Sequence, residues 1–228
     1  MTLTAAFFDV DETLIKMKSM FHFYHFWCQS REIMGEYQLF DSNFCSAREN
    51  GMAREELNRM YYRQFSGVDI DELYQTGETW FKTFLTSDEA YISPTVEAYQ
   101  RHKQRGDLTV FISGSMLPLL KPLGKQLNVD AILCTRLLLD EQGKLTGEIG
   151  DPQTIGEGKK RAMQTFSQKM HIDLTKSFAY GDDISDIPML AATGHPICAG
   201  DYAILANYAR QNKWKILGEG IHINGEIS

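Results

Sequence analysis

Short apolar runs recur along the chain, and each has the length and composition of a buried β-strand. The runs are AAFFDV (5–10), LTVFIS (108–113), AILCT (131–135), SFAYG (177–181) and PICAG (196–200). Helical patterns separate several of them, one from Ser93 to about Arg105, with Gly106 as its stop, and another from about Ile155 to Met170. This alternation predicts an α/β fold with a Rossmann-like, doubly wound parallel sheet.

A long helical segment interrupts the alternation. The first two runs are separated by about a hundred residues, many more than a crossover needs. Residues 19–86 have helical patterns with breaks near Gly35, Gly51 and Gly67, and the aromatic residues at 21–27 suit a hydrophobic interior. We therefore predict an all-helical cap domain at 16–92, inserted into a core domain made of 1–15 and 93–228. Its position after the first strand would make it a lid over the crevice.

The segment RLLLDEQGKLTGEI (136–149) has a different pattern. Two extended runs flank a polar turn that contains Gly143, which predicts a small β-hairpin beside the core.

Composition limits the classes of function. The chain has 228 residues, 43% of them hydrophobic, enough for a substantial core. A net charge of −7 gives no electrostatic footprint for nucleic acid. The aromatic run at 20–27 is too short to span a bilayer, so we expect no membrane partner.

The cysteines and the N-terminus favour a cytoplasmic location. Cys28, Cys45, Cys134 and Cys198 are widely spaced, and we expect reduced thiols rather than disulfides. The N-terminus lacks a basic region followed by an apolar core, so we expect no export. The oligomeric state is left open.

Two aspartates stand at the end of the first predicted strand. Strand carboxyl ends line the ligand crevice of an open parallel sheet, so Asp9 would stand at a reaction centre with Asp11 just beyond it. One carboxylate could attack a phosphoryl group while the other carries protons. An ordinary turn that closes the strand is the alternative.

The second strand ends in Ser113 and Gly114, before a predicted helix start. A hydroxyl beside exposed backbone N–H groups can bind an anion, and we expect both residues to hold phosphate. A serine cap with a glycine turn is the simpler interpretation.

A lysine near the start of a predicted helix opposes the helix dipole. Lys159 in GEGKK stands in such a position, which a nearby group of carboxylates and a phosphate would stabilise. Its neighbours Lys160 and Arg161 are expected to face solvent.

Three further acids follow the fourth strand, at Asp182, Asp183 and Asp186. One could cap a helix, but three exceed what capping needs. Gathered with Asp9 and Asp11, the carboxylates of Asp182 and Asp186 would repel one another unless a cation lay among them, and an all-oxygen ligand set with a phosphate partner suits Mg²⁺.

In this order, the motifs FFDVDETL, FISGS, GEGKK and GDDISD resemble the four motifs of the haloacid dehalogenase superfamily of aspartate-nucleophile phosphatases. The long helical segment after the first motif is similar to the type 1 cap of its phosphoserine-phosphatase-like branch. The resemblance covers nearly the whole chain and implies Mg²⁺-dependent hydrolysis of a small-molecule phosphate monoester.

The resemblance also implies a role for each residue. Asp9 is the nucleophile and a metal ligand, and Asp11 is the general acid and base, with its carbonyl on the metal. Asp182 is the direct metal ligand, and Asp186 orients metal-bound water or Lys159. Lys159 neutralises Asp9 and the phosphoryl group, which Ser113 and Gly114 also hold. The role of Asp183 is left open.

Two departures from the family pattern affect the expected substrate. Glu12 stands where the family usually has glycine, and we expect altered loop geometry or local charge. Lys18, with Lys16 nearby, stands about where phosphoserine phosphatases carry an acid that binds the substrate ammonium. We therefore expect a substrate other than phosphoserine, one with a second anionic group or without an amine. A pair of solvated lysines is the alternative.

Other functions remain open at this level. A phosphotransferase or mutase would share the motifs, and a non-catalytic phosphate-binding regulator could keep the pocket. A dehalogenase is disfavoured because its relatives lack the second aspartate of the first motif. His22 and His25 have no third ligand at useful spacing, so we expect no metal there.

Overall fold

The structure is a computed structural model that describes residues 2–201 and 203–218. Its strands are β1 (Ala5–Phe8), β2 (Leu108–Met116), β3 (Ala131–Thr135), β4 (Leu137–Leu139), β5 (Leu145–Ile149), β6 (Phe178–Gly181), β7 (His195–Ala199) and β8 (Lys215–Leu217). Six of them form one sheet in the order β3-β2-β1-β6-β7-β8, and every neighbouring pair is parallel. The predicted doubly wound parallel sheet is confirmed.

The helices follow the strands in the expected alternation. They are α1 (Ser19–Ser30), α2 (Met34–Glu49), α3 (Arg54–Arg63), α4 (Ile70–Phe84), α5 (Ser93–Arg105), α6 (Leu117–Leu127), α7 (Glu157–Met170), α8 (Ile187–Leu190) and α9 (Ala203–Gln211). The predicted boundaries of α5 are confirmed, since Pro94 lies in its first turn and Gly106 ends it in the left-handed conformation.

Strand β1 divides the hydrophobic core into two layers. Its side chains alternate, so Ala6 and Phe8 pack in one buried cluster while Ala5 and Phe7 pack in the other. Helices α5 and α6 cover the first face, and α7, α8 and α9 cover the second. Because the chain winds in opposite directions from β1, the crevice at its carboxyl end is a topological switch point, where ligands bind in such sheets.

Helices α1 to α4 lie between β1 and β2, as the helical patterns predicted. Aromatic rings pack at their centre, among them Phe23, Tyr24 and Trp80. Gly51 and Gly67 lie between helices with positive φ, and the break predicted near Gly35 falls a few residues earlier in the chain. The chain turns at 31–33 instead, and Gly35 lies in the first turn of α2.

Strands β4 and β5 form the predicted antiparallel hairpin, with Gly143 in its turn. The hairpin also bonds to the helical insertion. Gly67 donates its N–H to the Leu145 carbonyl at 2.7 Å, and the Leu145 N–H bonds the Val68 carbonyl at 2.8 Å. The hairpin therefore attaches the segment between α3 and α4 to the core. The sequence predicts the hairpin but not this attachment.

Strand β8 was not predicted. It has only three residues, and its first, Lys215, is exposed at the sheet edge. Within 2–201 and 203–218, no helix combines the length and apolar character required to cross a bilayer.

Helix α4 of the insertion packs closely against α6 of the core at Gly77. A β-carbon at this position would lie 2.5 Å from the Pro118 carbonyl oxygen of α6. Alanine is a better helix former by about 1 kcal/mol, but overpacking costs about 1–3 kcal/mol. We predict that Gly77→Ala lowers the free energy of unfolding, measured by urea denaturation.

Gly35→Ala is the matched control, because a β-carbon there meets nothing within 4 Å. It should leave stability unchanged or raise it by up to about 1 kcal/mol. Equal stability of the two variants would contradict the tight packing of α4 on α6.

Candidate active site

A buried lysine joins two carboxylates at the carboxyl end of β1. Lys159 Nζ lies 2.7 Å from Asp9 Oδ1 and 2.7 Å from Asp186 Oδ1. All three side chains are buried, and they come from the end of β1, the first turn of α7 and the segment after β6. Burial favours the neutral amine, but the charges of Asp186 and Asp9 outweigh it and raise the pKa of Lys159. The lysine therefore stays charged.

The acids around Lys159 exceed its single positive charge. Oxygens of Asp9, Asp182 and Asp186 lie within 4.8 Å of one another. Burial, and next the charge of Asp9, raises the pKa of Asp182 to about 8. Burial also raises the pKa of Asp9 to about 6, although Lys159 opposes the shift. Such a cluster of hard oxygen donors, with its negative charge uncompensated, fits a small divalent cation.

Backbone packing after β6 brings Asp186 into this cluster. A β-carbon on Gly181 would lie 2.6 Å from Asp186 Oδ2, so only glycine leaves room for the carboxylate. Asp183 and Asp186 form a reciprocal capping box at the start of a short 3₁₀ helix, Ile184–Asp186. Thr13 donates its hydroxyl to Asp182 Oδ1 at 2.8 Å and holds that carboxylate at the cluster.

Asp11 lies at the same edge of the sheet but does not contact Lys159. Its Oδ2 accepts the backbone N–H of Ser19 at 2.9 Å, while Oδ1 is buried with no hydrogen-bond partner in the described structure. Burial, and next the charge of Asp9, raises the pKa of Asp11 to about 7. A carboxyl group with this pKa can both donate and accept a proton near neutral pH.

The end of β2 forms a loop beside the acids. Ser113 pairs with Cys134 of β3, but the next pair is Met116 with Thr135, so β2 bulges at Gly114 and Ser115. Ser113 Oγ accepts the Ser115 N–H at 3.1 Å, which leaves its own proton available for an anion. Ser113 and Gly114, which the sequence predicts to bind phosphate, therefore lie at an irregular strand end. The polar groups there do not pair within the sheet.

The loop after Asp11 contains Glu12 and leads to Lys18, the two positions at which the sequence departs from the family pattern. Glu12 adopts a φ of 57°, a left-handed conformation that costs a non-glycine residue about 1 kcal/mol. Its carboxylate lies 3.4 Å from Lys18 Nζ, and both side chains are largely exposed. Lys18 is thus paired within its own loop, and Lys16 is exposed.

Helix α3 contributes three side chains around the site that the sequence motifs do not predict. Arg54, Asn58 and Tyr62 follow one another at intervals of four residues, so they share one helix face. Arg54 pairs with Asp183 at 2.5 Å, Asn58 accepts a hydrogen bond from Gln153 at 2.7 Å, and Tyr62 donates to the Gly114 carbonyl at 2.6 Å. The spacing was the available signal, but a solvated helix face has the same spacing.

The histidines of α1 are structural. His22 Nδ1 accepts the indole N–H of Trp80 at 2.9 Å, and the His25 ring packs against Tyr37. Within the described parts of the chain, the aspartate cluster is the only group of three or more acidic, histidine or cysteine side chains close enough to hold a metal.

Several relatives match almost the whole chain. A probable phosphatase of Mycobacterium tuberculosis is 26% identical over 94% of this chain and 75% of its own length. A phosphoserine phosphatase of the same organism is 26% identical over 93% of this chain and 70% of its own length. A histidinol-phosphatase of Neisseria meningitidis is 25% identical over 93% and 97%. These relatives confirm the predicted class of enzyme, a hydrolase acting on phosphoric monoesters.

Solved structures share the fold. A protein of unknown function from Bordetella pertussis superposes with a TM-score of 0.84 at 20% identity, over 95% of this chain and 98% of that one. A substrate-bound phosphoserine phosphatase superposes with a TM-score of 0.66 at 18% identity, over 95% of this chain and 92% of that one. The family model for haloacid dehalogenase-like hydrolases matches residues 6–191, and the chain therefore belongs to this family.

Proposed function

We propose that the protein hydrolyses a small-molecule phosphate monoester through an aspartyl-phosphate intermediate on Asp9, with Mg²⁺ as cofactor. The observation that carries the proposal is the buried contact of Lys159 with Asp9 and Asp186, at 2.7 Å each, beside a third carboxylate. Phosphoryl transfer depends mainly on positioning and charge neutralisation, and this arrangement supplies both.

The residues present fit Mg²⁺. Asp9, Asp182 and the backbone carbonyl of Asp11 would hold the ion, and Asp186 would orient its water or Lys159. When bound, the ion neutralises the phosphate oxygens and the excess negative charge of the acids. The support is the raised pKa of Asp182 and Asp9, since buried acids with unneutralised charge favour a cation.

The reaction would proceed in two steps. The Asp9 carboxylate attacks phosphorus in line, the ester P–O bond breaks, and Asp11 gives its proton to the leaving oxygen. Asp11 then takes a proton from water, whose oxygen attacks phosphorus and breaks the bond to Asp9, releasing phosphate. The pKa of Asp11, about 7, suits both roles. Ser113 and Lys159 would hold the phosphoryl oxygens throughout.

We also propose the division into a core domain, 1–15 and 93–228, and a cap domain, 16–92. The contacts of α3 with the site support a cap that excludes water from the reaction.

A cytoplasmic location agrees with the four cysteines, all of which are free thiols.

The substrate is proposed to carry a second anionic group or to lack an amine, which disfavours phosphoserine. Lys18 is exposed beside the loop of Asp11. Arg54 adds a second cation, because the charges of Asp183, Asp186 and Asp9 outweigh burial and raise its pKa. Lys18 pairs with Glu12 and Arg54 pairs with Asp183, and an anionic leaving group would compete with these carboxylates for the two partly exposed cations.

Asp9→Asn tests the nucleophile. We expect phosphate release from a panel of phosphate esters with Mg²⁺ to fall by about 10³-fold or more. The variant should fold, because it removes one of several mutually repelling buried acids, and thermal unfolding checks this. Substantial activity in a folded Asp9→Asn protein would exclude the aspartyl-phosphate route.

Mg²⁺ binding is tested without activity. At about 100 times its dissociation constant, Mg²⁺ should raise the free energy of unfolding by about 2.7 kcal/mol. Asp182→Asn should lose most of this gain, whereas the exposed Asp88→Asn should keep it. A Mg²⁺ effect that is equal in both variants would place the ion elsewhere.

Lys18→Glu tests the substrate preference. We expect rates on esters with a second anionic group to fall about tenfold relative to p-nitrophenyl phosphate, because the new charge repels the leaving group. Lys16→Glu makes the same charge change two residues earlier and should leave the ranking of substrates unchanged. If both variants keep the wild-type ranking, Lys18 has no part in selectivity.

A further inference from the structure

The bulge at the end of β2 leaves one carbonyl outside the sheet. Gly114 has no pairing partner in β3, and its carbonyl oxygen bonds two side chains instead. Thr135 Oγ1 donates from the end of β3 at 3.0 Å, and the phenol of Tyr62 donates from α3 at 2.6 Å. Tyr62 is 1% exposed, and its bond to the Gly114 carbonyl is partly buried. The phosphate-binding loop is thus held in part by a residue of the helical insertion.

These bonds fix an entire peptide plane. The carbonyl of Gly114 and the N–H of Ser115 belong to the same peptide group, and that N–H donates to Ser113 Oγ at 3.1 Å. Rotating the plane would break the bonds at both of its ends. Because Ser113 Oγ accepts this N–H, its own proton remains free to point away from the loop. The orientation of the serine hydroxyl therefore depends on the groups that hold the Gly114 carbonyl.

We infer that Tyr62 is a positioning residue that joins the closed position of the helical insertion to the orientation of the phosphate-binding peptide Gly114–Ser115. The inference rests on the proposed function, since it assigns Tyr62 a part in phosphate binding. Thr135 belongs to the core and keeps its bond wherever the insertion lies. Of the two bonds to the Gly114 carbonyl, the one from Tyr62 is lost when α3 moves away, so the loop binds phosphate best when the insertion is closed.

The other contacts of α3 support this coupling. Asn58 and Arg54, one and two turns before Tyr62, bond Gln153 and Asp183 in two further loops of the core. A displacement of α3 would break all three contacts together. Tyr62 differs from the other two residues because its partner is a backbone atom of the loop that carries Ser113.

Tyr62→Phe removes only the hydroxyl group. We expect the dissociation constant for inorganic phosphate, measured by calorimetry with Mg²⁺ present, to rise roughly tenfold. The KM for p-nitrophenyl phosphate should rise by a similar factor with little change in kcat, because the bond serves ground state and transition state alike. The affinity for Mg²⁺ should not change, since Tyr62 contacts no carboxylate of the cluster.

Tyr61→Phe is a matched control. Tyr61 is the neighbouring buried tyrosine, and its hydroxyl has no hydrogen-bond partner in the described structure. We expect wild-type phosphate affinity from it. Thr135→Val removes the second bond to the same carbonyl from the core side and should weaken phosphate binding in the same direction as Tyr62→Phe. If Tyr62→Phe does not fold, Thr135→Val still tests whether the orientation of the Gly114–Ser115 peptide affects phosphate binding.

The outcomes separate this inference from the proposed function. A wild-type protein that neither binds phosphate nor hydrolyses p-nitrophenyl phosphate overturns both. If the wild type does both, and Tyr62→Phe shows unchanged phosphate affinity and KM, the inference alone is overturned. A lowered melting temperature with unchanged phosphate affinity would show that Tyr62 only stabilises the packing.

Discussion

The site depends on one buried ammonium group held between two carboxylates. Lys159 is 4% exposed, Asp9 7% and Asp186 0%, so none of the three is solvated well enough to remain charged alone. Removing the lysine would leave buried carboxylates with no compensating charge, which costs several kcal/mol. The end of β1, the start of α7 and the segment after β6 must therefore meet at one point. The same constraint explains why a lysine occupies the unfavourable first turn of α7.

Helix α3 contacts the core loops that surround this site. Its polar face contacts three loops of the core, and the hairpin β4–β5 bonds the segment that follows it. The insertion is therefore attached at both ends of α3, while Gly77 packs α4 against α6. If the insertion acts as the proposed cap, it would exclude water and so strengthen the electrostatic interactions inside the site. In the proposed function, closure of the site, selection of the substrate and the geometry of the β2 loop would therefore all depend on α3.

Features that depend on local sequence could be predicted. Apolar runs that end at Asp9, Ser113 and Asp182 identify strand ends, and a parallel sheet places such ends at one edge. Features set by distant contacts could not. The α3 contacts join residues about 50 to 130 positions apart, and their four-residue spacing also fits a solvated face. Strand β8 is too short for a pattern, and the turn at 31–33 uses Glu32, a residue that gives no turn signal.

The central claim is that the Lys159 contact prepares Asp9 to attack phosphorus. Acid quenching of the enzyme during turnover of p-nitrophenyl phosphate, followed by peptide mass spectrometry, tests it most directly. We predict an added phosphoryl group on the peptide that contains Asp9, absent in Asp9→Asn and more abundant in Asp11→Asn, where the second step lacks its base. A phosphoryl group on Ser113, or on any residue other than Asp9, would contradict the account.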